Sequence, residues 1–256
     1  MSPESSPSRS HLLLIPSYNS GPLLLTTVRD ALQYWRPVWV VIDGSTDESQ
    51  KGLNELGHSS SELQVIKLPQ NQGKGAAVLE GMKRALAQGF QFALLMDADG
   101  QHPPDYIERT MQLSQDNPDS MILGSPVFGP DAPKSRRYGR LIGNWWANLE
   151  TCWAGIGDSL FGFRVYPIAK SVQILESVRG GRRFDFETQL AVRLVWAGVR
   201  PISVPVPVRY FNRQEGGVSH FQYVRDNLLL TRVHAWLVLQ TPWRMMRLWV
   251  RHKGVE

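Results

Sequence analysis

The sequence predicts an α/β domain built on a mostly parallel sheet with helices on both faces. Short, continuous apolar segments alternate with segments of helical periodicity through the first half of the chain, as at HLLLIP and QFALLM. Strands of this kind are typical of a sheet that is buried on both faces. Polar clusters directly follow three of these strands, and the ligands of such sheets bind beyond the carboxyl ends of the strands.

The elements follow in order from residue 11. HLLLIP is the first strand, residues 22–35 form a helix, and PVWVVIDGSTD contains the second strand with its turn. ELQVIKLP is the third strand, GKGAAVLEGMKRALAQ a helix, QFALLMDAD the fourth strand, and RRFDFETQLAVRLVWAGVRP a later helix entered after a turn. We predict a disordered N-terminus at residues 1–10, one α/β domain at 11–222 and an amphipathic helical tail at 223–256.

Composition limits the class of protein. Of the 256 residues 42% are hydrophobic, as in a folded domain, and the net charge of +5 suits acidic ligands or an anionic surface. The single cysteine, Cys152, excludes an internal disulfide and fits a reducing compartment. The early apolar run LLLI is too short for a signal peptide or a membrane span, so we expect the catalytic part to be cytosolic.

The stretch FALLMDADGQHPPDYI, residues 92–107, ends a buried strand in Asp97 and Asp99. Two carboxylates one residue apart repel each other, and a divalent cation bound between them removes this repulsion. Oxygen ligands suit Mg²⁺ or Mn²⁺, which commonly bind through one or two carboxylates plus substrate phosphates. The alternative is a solvated loop with helix-capping aspartates, but the buried strand and the clusters PSYNS and DGSTD favour a metal site.

Six segments resemble a known family, in its order, from about residue 12 to 222. They are IPSYNS, VVIDGSTDES, NQGKGAAVLEGM, MDADGQHPPDYI, GFRVYP and VPVRYFNRQEGGVSHF. The chain resembles the family 2 glycosyltransferases of the GT-A fold and is similar to the dolichyl- and polyprenyl-phosphate sugar synthases. The resemblance implies an inverting transferase with a nucleotide-sugar donor and Mg²⁺ or Mn²⁺. It also implies that Asp97, Asp99 and Gln101 hold the metal and that Asp99 is catalytic.

The resemblance further implies a donor site that includes Asp97 and residues of several other segments: Pro16, Tyr18, Asn19, Asp43, Lys74, Arg213, Ser219 and His220. Gly73 and Gly75 permit close backbone approach at a helix N-terminus, where Lys74 could meet a phosphate. The chain departs from the family at Ile42, where relatives often carry a second aspartate, and at Ser20, where many carry glutamate. Capping is the structural alternative for Asn19 and Asp43.

The acceptor is expected at GPDAPKSRRYGRLIGNWWANLETCWAG, which combines basic residues with tryptophans. The resemblance implies that arginines in this segment bind the acceptor phosphate. The candidates for this role are Arg136, Arg137 and Arg140. The tryptophans Trp145, Trp146 and Trp153 serve either core packing, which we favour, or a membrane interface.

Glu187 bears on the class of acceptor. It falls at the position of the family's base motif, near the start of a predicted helix. A general base would deprotonate an acceptor hydroxyl, whereas an ionised phosphate needs none. Pro126 stands where relatives usually carry an arginine, which weakens the case for a phosphate. The acceptor therefore stays open between a lipid hydroxyl and polyprenyl phosphate.

The tail YVRDNLLLTRVHAWLVLQTPWRMMRLWVRHK has no charge-free stretch long enough to span a bilayer. It mixes Leu, Val and Trp with arginines, and Pro242 is expected to divide it into two helices. The pattern is typical of amphipathic helices at a membrane interface. Packing on the domain or on a partner membrane enzyme is the alternative.

The sequence thus predicts a metal-dependent glycosyltransferase that is peripheral on the cytosolic, inner face of a membrane. It would move a sugar from a nucleotide sugar to a lipid-linked acceptor. The alternative is a catalytically silent, glycosyltransferase-like scaffold that binds a membrane or a partner enzyme. Basic residues with aromatics could also bind nucleic acid, but no recognised module is present, so no nucleic-acid partner is expected.

Overall fold

The computed structural model of the protein describes residues 7–129, 134–178, 180–209 and 223–253. The strands are β1 (His11–Ser17), β2 (Val38–Asp43), β3 (Leu63–Leu68), β4 (Phe92–Leu95), β5 (Ser120–Val127), β6 (Arg164–Pro167) and β7 (Arg200–Pro207). The helices are α1 (Leu23–Tyr34), α2 (Lys51–Ser59), α3 (Lys74–Ala87), α4 (Tyr106–Asp116), α5 (Lys134–Glu150), α6 (Ile168–Ser177), α7 (Phe186–Trp196) and α8 (Tyr223–Lys253). A short 3₁₀ helix, Glu48–Gln50, precedes α2.

The described strands form one sheet in the order β3-β2-β1-β4-β6-β5-β7. β6 is antiparallel to its neighbours β4 and β5, and the remaining neighbouring pairs are parallel. The mostly parallel sheet predicted from the sequence is confirmed. Because β1, β2 and β4 run in one direction, their carboxyl ends meet at one edge of the sheet, which we call the site edge.

β1 shows why helices cover both faces of this sheet. Leu12 and Leu14 pack with residues of α3, α6 and α7, whereas Leu13 and Ile15 pack with residues of α1 and α4. All four side chains are fully buried, and burial of such a side chain contributes roughly 1.5–3 kcal/mol. Gly81 of α3 lies so close to Leu14 that a Cβ would clash, so α3 packs tightly against the sheet.

α8 is continuous through Pro242, so the expectation of two helices is wrong. A proline removes one helical hydrogen bond and usually kinks or ends a helix. The inner face of α8 offsets this loss, because Val233 and Leu237 are buried against the domain. Thr241 also donates its hydroxyl to Leu237 O at 2.9 Å, directly before the proline.

None of the described helices is both long enough and apolar enough to cross a membrane.

The segment before β1 is attached to the domain. Ser8 N–H donates to Arg36 O at 2.9 Å, and Ser10 O accepts from the N–H groups of Gln91 and Phe92. Ser8 and Ser10, which belong to the N-terminal segment predicted to be disordered, therefore make defined contacts with the domain. Residues 1–6 lie outside the described part of the chain.

Candidate functional site

Asp97 lies at the site edge, two residues beyond β4. Its Oδ1 is 2.5 Å from Lys74 Nζ, and its Oδ2 is 3.2 Å from His102 Nε2. The backbone of Gly162 comes so close to the same carboxylate that a side chain at this position would collide with it. Asp97 is therefore fixed by contacts from three separate segments.

Lys74, the first residue of α3, bridges two carboxylates. Its Nζ is 2.6 Å from Glu187 Oε1 in addition to its contact with Asp97. The Lys74 side chain is 16% exposed and that of Glu187 is 4% exposed. The rings of Phe184 and Phe186 lie 5.9 Å from the ammonium. Lys74 thus neutralises a glutamate that is almost entirely removed from water.

Burial and neighbouring charges shift the titration of this cluster. Burial opposes ionisation of Asp97, but Lys74 and His102 outweigh it and hold the pKa of Asp97 well below its usual range. Burial likewise disfavours the Lys74 ammonium, yet Asp97 and Glu187 raise the pKa of Lys74 above its usual value. Burial, with repulsion from Asp97, raises the pKa of Asp99. A further cation at this turn would therefore stabilise the ionised form of Asp99.

Asp99 and Gln101 form the turn after Asp97. Gln101 N–H donates to Asp99 Oδ1 at 3.1 Å, and Gln101 O accepts from Arg209 N–H at 3.1 Å. The described residues contain no group of three or more His, Cys, Asp or Glu side chains that could hold a metal ion. Two carboxylates and an amide oxygen nevertheless fit Mg²⁺ or Mn²⁺, because Mg²⁺ keeps several waters and is completed by substrate phosphates.

The predicted nucleoside pocket lies at the ends of β1 and β2. Pro16 belongs to β1, and Tyr18 and Asn19 follow that strand directly. Asn19 Oδ1 accepts from the N–H groups of residues 46 and 47 at 2.8 and 3.3 Å. Buried Asp43 accepts from the N–H groups of residues 72 and 73, at 2.8 Å to each oxygen. Asn19 and Asp43 therefore fasten the loops around the predicted pocket, and their contact with a nucleoside stays a prediction.

Gly73 and Gly75 permit another group to come close to their backbone, as the sequence suggests. In the structure this group is the protein loop that precedes α7. A Cβ at either glycine would collide with the carbonyl of Arg182 or Gly181. Ala76 N–H also donates to Arg182 O at 3.3 Å. The two glycines thus let the segment before α7 close over the start of α3. This closure brings Glu187, on α7, within reach of Lys74.

The predicted acceptor residues divide into two groups. Arg140 Nη1 donates to Asp158 Oδ1 at 2.8 Å, and Asp158 is buried. Arg140 therefore ties α5 to the loop before β6. Arg136 and Arg137 lie on α5, but their side chains are outside the described ones. The donor candidates Arg213, Ser219 and His220 also lie outside the described residues.

The expectation of core packing is wrong for two tryptophans. Trp145 of α5 is 52% exposed and Trp153, just beyond α5, is 62% exposed. The inner face of α5 includes fully buried Ala147 and half-buried Asn148, whose Nδ2 donates to Ile156 O at 2.9 Å. The tryptophans therefore lie on surface that the domain itself does not cover.

Sequence reasoning missed two residues that shape the site. His102 contacts Asp97 and packs edge-on against Phe161, with ring centroids 4.7 Å apart. Arg164 of β6 is fully buried and donates to Asp158 O at 2.8 Å and to Glu187 O at 3.3 Å. The available signals were a histidine directly after the acidic turn and an arginine inside the apolar strand segment GFRVYP.

Comparison with known proteins identifies the family. Residues 13–166 match the model described as glycosyl transferase family 2. Polyprenol monophosphomannose synthase from Mycolicibacterium smegmatis is 27% identical over 237 residues, 90% of this chain and 88% of that protein. UDP-N-acetylglucosamine–dolichyl-phosphate N-acetylglucosaminyltransferase from Methanococcus voltae is 27% identical over 186 residues, 66% of this chain and 74% of that protein. These relatives confirm the resemblance to polyprenyl-phosphate sugar synthases.

A solved structure confirms the fold. Glucosyl-3-phosphoglycerate synthase from Mycobacterium tuberculosis, in complex with Mn²⁺, UDP and glucosyl-3-phosphoglycerate, superposes with a TM-score of 0.62 at 14% identity. The match covers 91% of this chain and 80% of that one. The family match, the GT-A fold and the acidic residues at the site edge agree: the chain belongs to glycosyl transferase family 2 and is a glycosyltransferase.

Proposed function

We propose that the enzyme transfers a sugar from a nucleotide sugar to polyprenyl phosphate, with inversion at the anomeric carbon. The observation that carries the proposal is the position of Asp97 and Asp99 directly beyond β4, where ligands of parallel sheets bind. An acceptor oxygen forms a bond to the anomeric carbon while the bond from that carbon to the diphosphate breaks. The nucleoside diphosphate leaves with the electron pair of the broken bond.

Asp99, with Asp97 and Gln101, would hold Mg²⁺ or Mn²⁺ on the donor diphosphate. The bound cation supplies Lewis-acid stabilisation of the charge on the leaving group. Lys74 and His102 orient Asp97 by engaging one carboxylate oxygen each. The complex of glucosyl-3-phosphoglycerate synthase with Mn²⁺ and UDP supports this class of donor and metal for the present chain.

The surroundings of Glu187 favour a phosphate over a hydroxyl acceptor. Its Oε1 is engaged by Lys74, and only 4% of the side chain is exposed. To act as a general base, this carboxylate would need the acceptor hydroxyl within hydrogen-bond reach of its other oxygen, and its burial restricts that access. A phosphate brings an oxygen that is already ionised, so it needs no base. The names of both relatives, which refer to polyprenol or dolichyl phosphate, support the same acceptor.

Matched acceptors test this assignment. The purified protein is incubated with Mn²⁺, a panel of labelled nucleotide sugars, and either a short-chain polyprenyl phosphate or the corresponding polyprenol. We expect transfer of label to the phosphate. Transfer to the polyprenol alone would overturn the acceptor assignment, and absence of transfer with every donor would favour the alternative of a silent scaffold.

We also propose that the enzyme works at the cytosolic surface of a membrane, through α5 and α8. Exposed large apolar side chains are concentrated on these helices and just after α5: Leu141, Ile142, Trp145, Trp153, Leu228, Trp236, Leu239, Trp243 and Met246. On α8 they recur at helical spacing on the face opposite buried Leu230 and Leu237. Tryptophan favours the membrane interface, and exposed Arg232 suits anionic lipid. A partner membrane enzyme is the alternative occupant.

A further inference from the structure

A site that binds phosphate needs cations that carboxylates of the protein have not already neutralised. Two of the predicted cations do not meet this condition. Lys74 lies between Asp97 and Glu187, and Arg140 is paired with buried Asp158. Other cations near the site edge must therefore supply the attraction for the phosphates of donor and acceptor.

The turn before α7 carries two adjacent arginines on a fixed backbone. Asp185 accepts from Gly181 N–H at 3.0 Å and from Arg183 N–H at 3.1 Å, using a different carboxylate oxygen for each. Gln189 Nε2 donates to the same side chain at 3.2 Å. Gly181 has a φ of +70°, a conformation that favours glycine. The backbone at Arg182 and Arg183 is thereby fixed on both sides.

This turn lies against the first residues of α3, beside the site. The Arg182 carbonyl accepts from Ala76 N–H at 3.3 Å and fills the space that a side chain at Gly73 would need. A Cβ at Gly73 would also lie 3.1 Å from Arg183 Cγ. The stem of Arg183 therefore passes over the residue that immediately precedes Lys74.

Both arginine side chains are exposed. Within the described part of the chain, no carboxylate lies within ion-pair distance of either guanidinium. A rigid backbone thus presents two guanidinium groups that no described carboxylate neutralises, next to the Lys74–Glu187–Asp97 cluster.

We propose that Arg182 and Arg183 form a phosphate-binding pair of this enzyme. The planar guanidinium matches phosphate oxygens in a bidentate manner and stays charged across the physiological pH range. The inference rests on the proposed function for its two candidate ligands, the diphosphate of the donor and the phosphate of the acceptor. Both ligands present phosphate oxygens to the protein. Donor and acceptor must also come together at the site edge for the sugar to be transferred.

Kinetics with a soluble, short-chain acceptor test the pair. The variants are Arg182→Gln, Arg183→Gln and the double variant. The control is Arg200→Gln, which alters an exposed arginine at the start of β7. This position is at the amino end of the strand, away from the site edge. We expect the double variant to raise a KM about tenfold or more, the scale for a lost hydrogen bond to a charged group, with little change in kcat. A rise in donor KM identifies the diphosphate, and a rise in acceptor KM identifies the acceptor phosphate.

Direct binding separates failure of the pair from failure of the proposed function. Calorimetric titrations of UDP and GDP with Mn²⁺, and of the prenyl phosphate, need no turnover. A wild-type enzyme without transferase activity contradicts the proposed function, while the titrations still test the arginines. Affinities and KM values of the double variant within about twofold of wild type, or an equal effect of Arg200→Gln, would overturn the inference.

Discussion

At the residue scale, Lys74 of α3 forms a nearly enclosed ion pair with Glu187 of α7, and Lys83, also on α3, forms an exposed counterpart with Glu176 of α6. The exposed pair has an N–O distance of 2.7 Å and side chains about half exposed. We expect Glu187→Gln to lower the free energy of unfolding by about 1–3 kcal/mol, since it removes a buried charged partner. Glu176→Gln should change it by less than about 1 kcal/mol, because water screens the pair. Urea unfolding measures both.

The turnover of the same variant tests the acceptor. With polyprenyl phosphate, Glu187→Gln should keep its turnover within about tenfold of wild type, because no acceptor proton has to be removed. Loss of a general base lowers turnover by about 10² to 10⁴. A loss of that size in a folded protein with normal donor affinity would restore the base role and a hydroxyl acceptor.

His11, the first residue of β1, makes stability depend on pH. It is buried, lies 3.1 Å from Ser114 Oγ through Nε2, and burial lowers the pKa of His11 from 6.5 to about 4. Between these values the unfolded chain binds a proton that the folded protein does not, so acidification from pH 6.5 towards 4 is destabilising. One such group contributes a slope of up to about 1.4 kcal/mol per pH unit.

The control for this pH effect is His11→Gln, which cannot titrate. Its free energy of unfolding should fall less steeply than that of wild type between pH 6.5 and 5, as followed by urea unfolding. Equal slopes for the two proteins would show that His11 becomes protonated in the folded state at its ordinary pKa.

The positions of the residues at strand ends were predictable, because they depend only on the neighbouring sequence. Asp97 and Asp99 follow a buried strand directly, and that position alone places them at the site edge. The partner of Lys74 was not predictable, because Glu187 is 113 residues away along the chain. The closure of the 181–183 turn onto Gly73 and Gly75 was not predictable for the same reason, because it joins segments that are far apart in the sequence.

At the scale of elements, α8 is apolar on two faces, and only the inner face is covered by the domain. The mixture of apolar residues and arginines predicted an amphipathic tail, but it could not show that packing offsets the proline at 242. His234 Nδ1 lies 2.8 Å from Glu150 Oε1, which joins α8 to the end of α5 in the interior. Deleting the tail would therefore expose core residues, and substitutions on its outer face are the cleaner test of membrane binding.

We expect Trp236→Gln, Leu239→Gln and Trp243→Gln, combined, to abolish binding to liposomes that contain anionic lipid. These side chains are 59%, 74% and 57% exposed, so the melting temperature should change little. Leu86→Gln on α3, which alters a partly exposed leucine elsewhere, is the control. Vesicle co-sedimentation measures binding. Unchanged sedimentation of the triple variant would contradict the membrane proposal and leave a protein partner as the occupant.

At the scale of the whole molecule, the parallel strands determine where the candidate site lies. β1, β2 and β4 deliver their polar loops to one edge, and α3 and α7 bring Lys74 and Glu187 to the same place. Alternation of strands and helices was sufficient to predict this architecture. It was insufficient for antiparallel β6, whose pairing with β4 and β5 depends on contacts between distant segments.

The most direct test of the metal-dependent site is turnover of Asp99→Asn with polyprenyl phosphate at saturating Mn²⁺. Asp105→Asn makes the same change at an exposed position nearby and serves as the control. Loss of one charge-stabilising contact lowers turnover by about 10² to 10³, so we expect that loss for Asp99→Asn alone, with an unfolding curve like that of wild type. Wild-type turnover by a folded Asp99→Asn enzyme would contradict the assignment of the metal to this turn.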